Sequence, residues 1–157
     1  MRSLFRLLAT SALILISLVS GSFAGNTTAT QTTAKMHRVA IQVDQDDATV
    51  MNLALNNATN IFEHYRTKGE SVEVNIVTYG PGLHMLRDTS PVQDRIKKLK
   101  DLAFPGKIQF SACNNTKQAM EKREGRSIAI LPEASLVPSG VVTLMELQEE
   151  GWSYVRP

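Results

Sequence analysis

Cys113 is the single cysteine of the chain. It stands in the run Phe110-Ser111-Ala112-Cys113-Asn114-Asn115-Thr116. The residues before it, Lys107 to Ala112, read as a short strand, and those after it, Thr116 to Lys122, as a helix. The thiol is therefore expected on a strand-to-helix loop at the carboxyl end of a strand, the edge where open α/β sheets bind ligands. Free N–H groups and the dipole of a following helix favour a thiolate there. A thiolate so placed, among small and polar neighbours, can accept sulfur as a persulfide and hand it on. The alternative is a small buried hydrophobe, the common fate of a free cysteine.

Two further groups fall on the same edge. Tyr79-Gly80-Pro81-Gly82 closes a second strand, Val72 to Tyr79, and its two glycines would let backbone N–H groups approach an anion. A plain turn explains the same residues. His84 follows two residues later and could serve as proton donor or thiolate partner, or be a solvated helix residue. His37 and His64 do not cluster with it. No histidine pair has zinc-ligand spacing, and one cysteine builds no zinc site alone, so no metal is expected. There is no phosphate-binding loop with Lys and Ser/Thr, no dinucleotide fingerprint and no GxSxG elbow, so the sequence calls for no cofactor.

The elements that must position these groups alternate. His37 to Val43 reads as the first strand, and the acidic Asp44-Gln45-Asp46-Asp47 suits the start of a helix over Ala48 to Lys68. That helix carries Val50, Leu53, Ala54, Ala58, Ile61, Phe62 and Tyr65 at helical spacing and stops at Gly69. Ser90-Pro91-Val92-Gln93 looks like a capping box opening a helix whose inward face is Val92, Ile96, Leu99 and Leu102. Ser127 to Leu131 reads as a fourth strand, Val141 to Glu150 as the last helix, and Trp152 to Val155 as an edge strand. This order predicts an α/β fold, a three-layer α/β/α domain over residues 36–157 with a mostly parallel five-stranded sheet.

The first 24 residues have another character. Arg2 and Arg6 precede an apolar run, Leu7 to Val19, and Ser22-Phe23-Ala24 offers small residues for a cut. The run is shorter than the roughly 20 residues of a membrane-spanning helix. It reads as a secretory signal peptide cleaved after Ala24, which places the protein in the periplasm or outside the cell, with no membrane attachment after cleavage. Residues 25–35, rich in Thr, read as a disordered spacer. Cleavage lowers Lys+Arg from 17 to 15 against Asp+Glu 15. The precursor pI of 8.8 is then no sign of a nucleic-acid partner, and no basic stripe with interleaved aromatics is present. In an oxidising compartment a lone cysteine is buried, paired between chains, or kept as a reactive thiol.

Five motifs in order carry a resemblance: Tyr79-Gly80-Pro81-Gly82-Leu83, Ser90-Pro91, Phe110 to Thr116, Leu131-Pro132-Glu133-Ala134 with Val137-Pro138-Ser139-Gly140-Val141, and the closing Gly151-Trp152-Ser153-Tyr154-Val155. Together they resemble the DsrE/DsrF-like family, in its exported subgroup, over about Met36 to Pro157. The resemblance implies the same α/β/α layering, a homo-oligomer (trimer or hexamer), and a sulfur carrier or sulfurtransferase-like protein served by sulfur donor and acceptor proteins. Cys113 matches the persulfide-bearing cysteine of the family's Cys-Gly-Asn-Thr-type motif. Asn114 stands where Gly is common, and Tyr79 where His is frequent. The residues expected around the thiol are Tyr79, Gly80, Pro81, Gly82, His84, Asn114, Asn115 and Thr116. Two other readings use the same edge: a non-catalytic oligomeric binding module for a small anion or protein partner, and a redox sensor forming an inter-subunit disulfide.

Overall fold

The computed structural model describes residues 35–157. The expected signal peptide and nearly all of the expected spacer lie outside the described residues. Five strands, β1 (Met36–Val43), β2 (Ser71–Thr78), β3 (Lys107–Cys113), β4 (Ser135–Val137) and β5 (Ser153–Val155), form one sheet in the order β4-β3-β2-β1-β5. Every pairing is parallel. The helices are α1 (Ala48–Thr67), α2 (Gln93–Leu102), α3 (Asn114–Glu124) and α4 (Gly140–Glu149), with a 3₁₀ helix over Gly80–Leu86.

The chain steps in one direction from β1 to β4 and then returns to the far side of β1. Right-handed crossovers put helices of one stepping direction on one face and the helix of the return on the other. The packing follows this rule. Met51, Ala54, Leu55, Ala58 and Phe62 of α1, with Ile96 and Leu99 of α2 and Met120 of α3, cover Val39, Ile41, Val74, Ile76, Phe110 and Ala112. On the opposite face Leu144 and Leu147 of α4 pack with Ala40 and Val77. The second face is more polar: Gln42, Asn75 and Ser111 are buried there, and the Ser111 hydroxyl donates to Asn75 Oδ1 at 2.9 Å.

Local signals set several boundaries. Asp47 caps α1 by accepting from Thr49 N–H at 2.7 Å. Gly69 (φ +66°) and Gly125 (φ +66°) end helices in the left-handed conformation. The inward stripe of α1 is turned slightly from the expected one, with Met51 and Leu55 buried and Leu53 exposed.

Two sequence expectations are corrected. Ser127 to Leu131 is not a sheet strand. Ile130 makes an isolated antiparallel bridge with Arg87, and Leu131 N–H donates to the Leu86 carbonyl at 2.9 Å. The segment closes over the end of the 3₁₀ helix, and the sheet position beside β3 goes to Ser135–Val137. Nor is Ser90 a helix cap. Its hydroxyl accepts from Val92 N–H, two residues on, at 3.2 Å, which makes a local turn, and α2 begins only at Gln93.

Candidate functional site at the carboxyl edge of the sheet

Three connections meet at the carboxyl edge, and two glycines let them do so. Gly82 packs on the end of β1: a Cβ there would lie 2.2 Å from the Val43 carbonyl oxygen. Gly140, first residue of α4, packs on the others: a Cβ there would lie 2.9 Å from Tyr79 Cβ and 3.3 Å from Cys113 Cβ. Gly80 adopts φ +52°, which turns its N–H toward Thr116, whose hydroxyl oxygen accepts it at 2.9 Å. Asn115 N–H donates to the Pro138 carbonyl at 3.3 Å, tying α3 to the approach to α4.

Cys113 is the last residue of β3 and the N-cap of α3. Its Sγ accepts from Thr116 N–H at 3.5 Å, in the way a cap side chain satisfies an unpaired helix donor. Burial pushes the thiol up. The Thr116 side chain and the N–H groups of Gly140, Thr116 and Asn115 around the sulfur outweigh it, so the thiol titrates below its ordinary value; of these, the Thr116 N–H stands at hydrogen-bond distance from Sγ. The residue is only 4% exposed. Cys113 is thus a thiol held below its ordinary value beneath a cover, with Gly140 closing over it.

The expected site residues do not all gather at the thiol, and Gly80 and Thr116 also line a neighbouring cleft. Tyr79, Gly80, Asn115 and Thr116 meet the thiol or its immediate partners. Asn114 is the first residue of α3 and so has helical backbone, with no need of a left-handed conformation. The Tyr79 phenol is held above its ordinary value, by burial first and the Asp44 carboxylate second, so it is a neutral group at the edge. His84 does not reach the thiol. With Pro81 it lines a cleft of about 380 Å³ between the 3₁₀ helix and α3, on the α1 side of the sheet. There its Nε2 lies 3.8 Å from the Asp46 carboxylate. Gly82 is buried and acts as a spacer.

Sequence reasoning missed the ion pair beneath that cleft. Arg87, 3% exposed, donates through both terminal nitrogens to Glu124 at 2.8 and 2.9 Å. Its donation to Glu124 holds the guanidinium above its ordinary value, and the carboxyl below its own. The partners are 37 residues apart, and no local pattern links them. Among the described residues no group of three His, Cys, Asp or Glu side chains could hold a metal ion. Among the same residues no helix is long and apolar enough to cross a membrane.

Comparison with known proteins decides the family. The sequence matches the DsrE/DsrF-like family over residues 33–157. The chain belongs to the DsrE/DsrF-like family. That membership supports a sulfur-relay-like role at the level of the family. The chain is 30% identical to a protein of unknown function from Methanobacterium thermoautotrophicum, with a TM-score of 0.65 over 77% of this chain and 99% of that one. A conserved protein of unknown function from Bacteroides thetaiotaomicron is 17% identical, with a TM-score of 0.50 over 76% of this chain and 94% of that one, and shares the fold. No curated protein is significantly similar to the chain.

Proposed function

We propose that this DsrE/DsrF-like protein is an exported sulfur carrier in which Cys113 accepts a persulfide sulfur and passes it on. One observation carries the reading: the sole cysteine caps α3 with its sulfur among hydrogen-bond donors that favour the thiolate. The reaction is a transfer without net oxidation. The Cys113 thiolate attacks the outer sulfur of a donor persulfide or polysulfide. A new Sγ–S bond forms, the donor's S–S bond breaks, and the donor leaves as a thiolate. An acceptor thiolate then attacks the outer sulfur of the Cys113 persulfide and regenerates the Cys113 thiolate. The same donors stabilise Cys113 as attacking and as leaving group. Tyr79, Gly80, Asn114, Asn115 and Thr116 shape this edge, and export rests on the leader of residues 1–24. The protein works as a homo-oligomer. The outward Val141, Val142 and Met145 of α4, all exposed and adjoining Gly140, supply apolar surface for a second copy.

Intact mass spectrometry after incubation with polysulfide, without reductant, tests the chemistry. One added sulfur, removed by thiol and absent from Cys113→Ser, is expected. Folded protein that takes up none, while the denatured protein is freely alkylated, refutes sulfur carriage. A second reading, a non-catalytic oligomeric binding module, is favoured by the 4% exposure of Cys113. Sulfur transfer requires the segment leading to Gly140 to move aside, whereas packing alone does not.

A further inference from the structure

The cleft on the α1 side is separate from the thiol. Cys113 shares its strand parity with Ser111 and faces α4, where Gly140 covers it. The cleft opens between the 3₁₀ helix and α3, on the face packed by α1, and Cys113 is not among its lining residues. Its α3 wall is a single helix stripe: Thr116, then Ala119 and Met120, then Arg123. Seven steps of about 1.5 Å from Thr116 to Arg123 give this wall a length of about 10 Å. Pro81 and His84 form the facing wall, with Asp46 at the rim.

The charges in this cleft do not cancel. Asp46 lies 3.8 Å from His84 Nε2, and even with the imidazole neutral the two carboxylates here, Asp46 and Glu124, stand against three guanidiniums, Arg87, Arg123 and Arg126. Glu124, the neighbouring carboxylate on α3, is bound by Arg87 and Arg126. Among the described residues Arg123 enters no ion pair, so its guanidinium lines the cleft uncompensated. A volume of about 380 Å³ falls in the range of small-molecule sites. An apolar midsection between a hydroxyl at one end and a free guanidinium at the other matches an organic anion with an apolar body, not a bare inorganic ion.

We infer that the cleft between the 3₁₀ helix and α3 binds a small organic carboxylate, with Arg123 pairing its charge and Pro81, Ala119 and Met120 holding its apolar body. The site stands whether or not Cys113 carries sulfur. The test is a titration of ¹⁵N-labelled protein with benzoate, followed by the backbone amides and the Arg123 side-chain resonance. Saturable shifts confined to Gly80, His84, Thr116, Ala119 and Arg123 are expected. Benzamide, equal in shape but uncharged, should bind at least about tenfold more weakly, and so should benzoate to Arg123→Gln, because each loses one charge-assisted pair. Arg123 is exposed, so Arg123→Gln should keep the fold, which its amide spectrum verifies. Cys113→Ser should bind benzoate as wild type does, so failure of sulfur loading leaves this result untouched. Absence of saturable shifts at these residues overturns the inference. So does equal binding of benzamide, or unchanged benzoate affinity in Arg123→Gln.

Discussion

Thr116→Val is the sharpest probe of the thiol. The substitution keeps the β-branched shape and removes one hydroxyl. That hydroxyl accepts from Gly80 N–H at 2.9 Å and is the foremost of the donors that lower the Cys113 thiol. A hydrogen bond to a charged group contributes about 1.5–3 kcal/mol. Losing it against the thiolate alone therefore reduces the thiolate population at a fixed pH below the midpoint, with about tenfold as the scale of one full bond, since roughly 1.4 kcal/mol is a factor of ten. The N–H groups of Gly140, Thr116 and Asn115 remain, so part of the depression should persist. The assay is thiolate absorbance near the ultraviolet edge against pH, with Cys113→Ser as the blank. It reads ionisation directly and does not depend on reagent reaching a buried sulfur. The midpoint should move to higher pH in Thr116→Val and return toward wild type in Thr116→Ser. The variant should also melt earlier, because the part-buried Gly80 N–H loses its acceptor, at a cost of about 1 kcal/mol or slightly more. A midpoint identical in Thr116→Val and wild type, with the fold intact, would refute the claim that this hydroxyl activates the thiol.

Other consequences can be measured alongside. Gly82→Ala drives a Cβ into the Val43 carbonyl at 2.2 Å, backbone against backbone, and should destabilise by several kcal/mol in urea denaturation or prevent folding. Gly140→Ala meets Tyr79 and Cys113 side chains, and should slow alkylation of the folded thiol or displace its cover; an unchanged rate would separate Gly140 from thiol access. Glu124→Gln should lower the melting temperature at neutral pH. The folded Glu124 carboxyl titrates below its unfolded value, so its contribution is fully present above the unfolded value and is lost as pH falls through the folded one. The gap between wild type and Glu124→Gln should therefore close in acid, and a gap independent of pH would remove the ion pair as its cause. Met145→Glu places a charge in the exposed α4 patch, proposed above as the contact between copies, and should shift sedimentation of that proposed homo-oligomer toward the monomer.

The layering was legible because each cue was local. Asp47, Gly69 and Gly125 punctuate helices by side-chain and backbone chemistry that needs no distant partner. The position of Cys113 at a strand-to-helix junction followed from the change of period around it. Ser127 to Leu131 misled because a run such as Ile-Ala-Ile-Leu suits a strand equally well inside the sheet or outside it. Which segment takes the place beside β3 is a tertiary outcome, and a three-residue strand at Ser135–Val137 has too few residues to show a pattern. Ser90 misled because Ser-Pro-x-Gln satisfies a capping box and a short turn alike, and the chain chose the turn. The direction of His84 depends on the 3₁₀ twist after Gly80, which spacing alone does not fix.

That edge needs two faces to be understood. In a parallel strand consecutive side chains alternate, so Ala112 joins the core under α1 to α3 while Cys113 turns to the side of α4. Because the chain reverses direction only once, α4 alone comes to that second face, and its first residue must be small enough to close over the sulfur. Thr116 stands one helical turn past the cysteine, far enough round α3 to line the opposite cleft while its N–H still reaches Sγ. Its hydroxyl accepts from Gly80 N–H and lies among the groups that lower the thiol, and its amide donates to Sγ. The sheet edge therefore holds two separate groups, a thiol kept below its ordinary value on one face and a guanidinium without an ion-pair partner on the other, joined by one threonine. A change that acts through Thr116 should be felt on both faces, whereas changes at Cys113 or Arg123 should each be felt on one.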